Sequence, residues 1–141
     1  MGKDLDDAVL AATSNMLDAQ AGLSQTLRLS FSCKDLPNLD TFTRTDGMAI
    51  LYEKRGRGWN MVGNTEVIMD NLSPEWVKFF EVPYKFEEQQ VFKVAVHDID
   101  DFDNLRNFEQ NKMVGEVEFM LHEVVTAKDQ ILSKNLVPSK K

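Results

Sequence analysis

Hydrophobic positions recur every second residue along most of this chain, and every third or fourth only near its start. Over residues 4–20 (DLDDAVLAATSNMLDAQ), Leu5, Val9, Ala12 and Met16 are three to four apart. Asp4, Asp6 and Asp7 cluster at the start of this segment, as suits the positive end of a helix dipole. Residues 1–25 are therefore read as an N-terminal arm or short helix, broken at Gly22 to Gln25. From Thr26 the period changes to two. Leu27, Leu29, Phe31 and Cys33 alternate with Arg28, Ser30 and Ser32, the mark of a half-buried strand. A long polar loop, Lys34 to Asp46, precedes a second strand, Met48 to Glu53. The KRGRG turn leads into a return strand, Trp59 to Met69, with an irregularity expected at Gly63. Further strands are expected at Glu75 to Val82, with Trp76 and Phe80 inward, and at Val91 to His97, Met113 to Met120 and Ile131 to Val137. LHEVVTAK reads as a helical turn. Short strands with few long helices predict an all-β fold, an eight-stranded antiparallel β-sandwich spanning 26–141.

The 141 residues suit one domain with a real core, and no apolar run approaches the roughly 20 residues of a spanning helix. A net charge of −7 argues against nucleic acid as partner, because such binding needs a basic surface that displaces counterions. The same charge repels anionic lipid unless it is neutralised locally. Cys33 is the single cysteine and falls at an inward strand position, which fits a reducing, cytoplasmic setting.

Candidate chemistry lies where two apolar strands end. Asp40 and Asp46 stand in LPNLDTFTRTDG, and Asp98 and Asp100 in VFKVAVHDIDDFDN. Residues two apart on an extended backbone point the same way, so Asp98 and Asp100 can share one ion. If both strand ends sit side by side, four carboxylates converge, and carboxylate oxygens are the ligands of a hard cation such as Ca2+. An EF-hand reading of Asp98 to Glu109 fails, since Phe102 and Asp103 stand where that loop needs an oxygen donor and a glycine. His97 and His122 have no nucleophile partner and no phosphate-cradling glycine loop is present, so an enzyme is not expected. Asp6 stands where N-myristoylation wants Ser or Thr. Lys54, Arg55 and Arg57 around the hairpin, with Lys78 and Lys85, form a candidate headgroup patch.

LPNLDTFTRTDG and VAVHDIDDFDN followed by MVGE resemble the first and third calcium-binding loops of C2 domains, and the NLSPEW turn resembles the family's Asn-Pro-x-Trp segment. The likeness covers residues 26–137 and is greatest to the first C2 domain of copines, through LRLSFSCKDL, TDGMAILYEK and FMLHEVV. The resemblance implies a calcium-dependent module that docks on anionic phospholipid, recruited from the cytoplasm to the plasma membrane when calcium rises. It implies metal ligation by Asp40, Asp46, Asp98 and Asp100, backbone carbonyls near Thr41 and Ile99, and membrane insertion by Phe42 and Phe102. Asp103 is a further candidate ligand. A von Willebrand A-like domain is expected downstream in a copine-like protein. One strand before the first acidic loop favours the permuted, type II strand order. One departure stands out: Lys112 lies three residues before Gly115, where the family usually has Asp. That lysine feeds the alternative, a calcium-independent sandwich that binds other proteins through degenerate loops.

Overall fold

In the computed structural model, residues 8–18, 24–38, 45–99 and 112–138 are described. Nine strands and one short helix follow in chain order: β1 (Val9–Asp18), β2 (Ser24–Lys34), β3 (Gly47–Arg55), β4 (Gly58–Asn64), β5 (Phe80–Lys85), β6 (Val91–Asp98), β7 (Lys112–Met120), α1 (Leu121–Thr126), β8 (Ile131–Asn135) and the two-residue β9 (Val137–Pro138). A four-stranded sheet in the order β5-β2-β1-β8 faces a five-stranded sheet in the order β4-β3-β6-β7-β9, and every pairing is antiparallel. The alternation of the sequence explains the layering. Leu27, Leu29, Phe31 and Cys33 of β2 turn inward, opposite Leu51 of β3, Phe92, Val94 and Val96 of β6, and Val117 and Phe119 of β7. Phe31 packs against both Phe80 and Phe119, with ring centroids 6.0 and 6.2 Å away, so one ring stitches the two sheets together. Burial pushes the Cys33 thiol up to about 12, which leaves it an inert core residue.

The helix expected near the N-terminus is instead strand β1. Ala8, Leu10, Ala12 and Ser14 alternate inward, a period of two hidden by three small side chains. Pairing on both edges, Leu10 with Cys33 of β2 and with Lys134 of β8, overrides the helix propensity of an alanine-rich segment. Val9–Asp18 of the expected arm is therefore part of the sandwich. Two strands, not one, precede the first acidic loop, so the premise of a type II order is not met. Among the described residues the α-helix is α1, which follows β7, where the Glu123 carboxylate accepts the Met120 N–H at 2.8 Å and Lys134 Nζ lies 3.3 Å away.

Two irregularities interrupt the five-stranded sheet. Leu51 pairs with Gly63 and Tyr52 with Met61, which leaves Val62 as a bulge one residue before the expected Gly63. Val96 pairs with Gly115 and His97 with Met113, so Val114 is a second bulge and Lys112 comes to lie opposite Asp98. Gly115 is required by β9: an added Cβ would meet the Val137 carbonyl oxygen at 2.9 Å. The expected strand from Glu75 begins only at Phe80. Before it, Glu75 bridges Ser32, and the Glu66 carboxylate accepts the N–H groups of Val77 and Lys78 at 2.6 and 3.1 Å.

Two outcomes follow. Leu10 is 2% exposed, so Leu10→Ala is expected to cost about 2–5 kcal/mol, read as a lower urea midpoint; an unchanged midpoint would mark β1 as a detachable arm. Burial tends to raise the Glu66 pKa, but the backbone donors and the Lys78 charge outweigh it and hold the carboxyl below its ordinary 4.5. A depressed folded pKa contributes stability above the unfolded value and loses it as pH falls through the folded one. Glu66→Gln should therefore lower Tm at neutral pH, and the gap to the parent chain should close in thermal melts run progressively below 4.5.

Candidate metal centre

Gly47 is the hub from which the site is built. It pairs with Asp98 across the β3–β6 ladder, exchanges hydrogen bonds with Ile68 (3.0 Å each way), and its carbonyl also accepts the Trp76 indole N–H at 3.1 Å. Trp76 and Pro74 pack beside it, which ties the turn before β5 to the root of β3. The adjacent Asp46 then meets Asp98. Its N–H donates to Asp98 Oδ1 at 3.0 Å, and its carbonyl accepts the Ile99 N–H at 2.9 Å. Asp98 is fully buried at the end of β6, whereas Asp46 is half-buried.

A third segment joins them. The Asp70 N–H donates to Asp46 Oδ1 at 2.6 Å, and the Asn71 N–H to the Thr45 carbonyl at 3.1 Å. Asp70 takes a φ of 55°, a left-handed turn that Asp tolerates better than most residues. Each of the two carboxylates thus accepts a backbone N–H dipole, which offsets part of the cost of holding negative charge in a partly desolvated place. The sequence reading missed Asp70. Its one signal was the Asp-Asn pair before the Ser-Pro turn, which ordinary turn chemistry also explains.

Of the candidate ligands, the structure brings Asp46 and Asp98 together; Asp40, Asp100 and Asp103 lie outside the described residues, as do Phe42 and Phe102. Among the described residues, no group of three or more His, Cys, Asp or Glu side chains assembles to hold a metal. The donors that do meet are all oxygen and carry negative charge, which suits a hard cation and not a soft one. Segments 39–44 and 100–111 join the chain at Thr45, Ile99 and Lys112, all at this end of the sandwich. Lys112 is exposed and stands directly across the ladder from Asp98.

The candidate headgroup patch does not border this site. β3 runs from Gly47 to Arg55, about 26 Å at the usual rise per residue, so Lys54, Arg55 and Arg57 occupy the far end. Lys85, paired with Ser24, lies at that end too, and Lys78 sits between the ends beside Phe80. Arg55 is paired with Glu53 at 3.0 Å and Lys85 with Glu88 at 3.8 Å, which reduces the net charge of the patch. His97 is a buried residue of β6.

Known proteins share this architecture. The family model of the C2 domain matches residues 26–136. Protein BONZAI 1 of Arabidopsis thaliana is 31% identical over 138 residues, covering 89% of this chain and 24% of that protein. Copine-D of Dictyostelium discoideum is 34% identical over 104 residues, covering 72% of this chain and 20% of its own. The chain thus spans a quarter or less of the length of these relatives. A C2 domain of RIM from Drosophila shares the fold, with a TM-score of 0.62 at 15% identity over 92% of this chain and 97% of that one. By its sandwich, its loop-bearing end and the matched span, the chain belongs to the C2 domain family and has copines among its relatives.

Proposed function

We propose that this chain is a calcium-dependent phospholipid-binding module. The observation that carries the reading is the meeting of Asp46 and Asp98, from two loops far apart in sequence, at the end of the sandwich where both acidic loops attach. In this reading Asp46 and Asp98 hold the cation, with Asp40, Asp100 and Asp103 as further ligands. A bound Ca2+ supplies the positive charge and open coordination positions that lipid phosphate oxygens fill. The residues of the chain do the rest. The Asp70 N–H holds the Asp46 carboxylate and the Asp46 N–H holds that of Asp98, so these two side chains enter the encounter already positioned. Without neutralisation their charge, within a net −7, keeps an anionic surface away. Docking is then an electrostatic switch on a rigid frame, and the partner is an anionic membrane approached from the cytoplasm as calcium rises. Phe42 and Phe102 are the loop residues assigned to the bilayer interface.

A second reading has its own observation. Lys112, across the ladder from Asp98, places a fixed positive charge beside the proposed cation. Even in a water-like dielectric, such charges several ångströms apart repel by about 1 kcal/mol, which weakens cation binding several-fold. A calcium-independent protein-binding sandwich is the limit of that effect.

The chain should sediment with phosphatidylserine-containing vesicles in calcium and remain in the supernatant in chelator; partitioning that ignores both calcium and lipid would leave only the second reading. Asp98→Asn combined with Asp100→Asn keeps side-chain shape and the acceptor for the Asp46 N–H while removing both charges. The pair should abolish the calcium-induced rise in Tm, and a surviving rise would remove these residues as ligands. Lys112→Asp should lower the half-maximal calcium concentration by about tenfold in the same titration.

A further inference from the structure

An open sheet ends on two strands with one unpaired side, a row of N–H and C=O groups on which another strand can pair. Among the described residues these edges are β5 and β8 of one sheet and β4 and β9 of the other. Three of them are guarded. β5 (FEVPYK) carries Glu81, Pro83 and Lys85, β8 carries Lys134, and β9 is two residues long and includes Pro138. β4 (GWNMVGN) has neither a charge nor a proline. Its bulge at Val62 comes only after Met61, so Gly58 to Met61 stays in regular register with β3 and has its other side open. Ladder bonds alternate along an antiparallel pair, so every second residue of that run turns its N–H and C=O outward.

The surroundings of this edge are apolar. Met61 and Val62 are 43% and 40% exposed. At Gly63 the strand touches the other sheet, since an added Cβ would meet the Phe80 ring at 3.0 Å. Just ahead of that ring, Val77 and Phe79 are 83% and 41% exposed. Charge decides what can lie there. Exposed Arg55 and Arg57 mark the hairpin end of β4, and exposed Glu66 and Asp70 lie past its other end, around the Gly47–Ile68 bridge. A second copy laid antiparallel along β4 brings the basic end of each copy toward the acidic end of the other. A parallel copy sets like charges side by side. We infer that β4 is a self-association edge: two copies of this chain pair β4 with β4, antiparallel about a twofold axis, and join their five-stranded sheets into one. Such a contact uses the same surface on both copies, so it closes at the dimer. It needs neither cation nor lipid and stands apart from the proposed function. The run is short, which places the contact at the small, transient end of protein interfaces.

Sedimentation equilibrium of the 141-residue chain in chelator, over a concentration series reaching about 1 mM, reads the association directly. The mass is expected to rise from 16.1 kDa toward twice that value and no further. Met61→Lys puts a charge on the open edge and should weaken the association about tenfold or more, with Tm unchanged because the side chain is exposed. Ile131→Lys, at a side chain 46% exposed on the β8 edge, should leave it as it is. Arg57→Glu should weaken it about fivefold, by setting a negative charge toward the acidic end of the other copy. A monomer at every concentration, or a dimer that Ile131→Lys dissolves and Met61→Lys does not, overturns the inference. A mass that climbs past the dimer, or an association that Arg57→Glu leaves unchanged, overturns the closed antiparallel pair.

Discussion

The register of β3 on β6 is the constraint on which everything else depends. Gly47 opposite Asp98 sets Asp46 where its N–H meets the Asp98 carboxylate and its carbonyl meets the Ile99 N–H. A slip of one residue would turn Met48, Ile50 and Ala95 toward the wrong face and part the two acidic strand ends. The hydrophobic layers make such a slip prohibitive, because Ala49, Leu51, Val94 and Val96 are all committed to the inner face. The core thus holds the site in place, and its Trp76 reaches the Gly47 carbonyl directly.

Charge gives this end of the molecule its character. Asp98 with no exposure, Asp46 half-buried, and Lys112 across the ladder from Asp98 all lie at this end of the sandwich. Backbone N–H groups of Asp46 and Asp70 steady the two anions, and the bulge at Val114 determines that Lys112 is the residue facing Asp98. A cation-binding end tuned by its own lysine and an end that has given up cations are two settings of one arrangement. The basic residues of the hairpin belong to the far end and do not enter this balance.

Much of the sandwich was legible because β2 alternates between apolar and polar residues, β7 does so from Glu116 to Phe119, and β6 sets Phe92, Val94 and Val96 on one face. β1 was not, since its inward positions Ala8, Ala12 and Ser14 carry little hydrophobic signal while Leu5, Val9 and Met16 mimic a helical stripe. Only pairing with β2 and β8, separated from it in sequence, decides the matter. Missing that strand also produced the expectation of a permuted order. Asp46 and Asp98 could be found because each directly adjoins an apolar strand. Asp70 could not, because its role comes from a hydrogen bond across 24 residues, which no local pattern encodes. Likewise Lys54, Arg55 and Arg57 looked like part of a docking face until the length of β3 separated them from the acidic pair.

The most direct test of the account is a crystal structure of the chain grown with Ca2+. The account predicts an ion at the end of β3 and β6 with carboxylate oxygens of Asp46 and Asp98 at about 2.3–2.6 Å. A saturated crystal with no ion there, and Asp98 still accepting only from the protein, would contradict it.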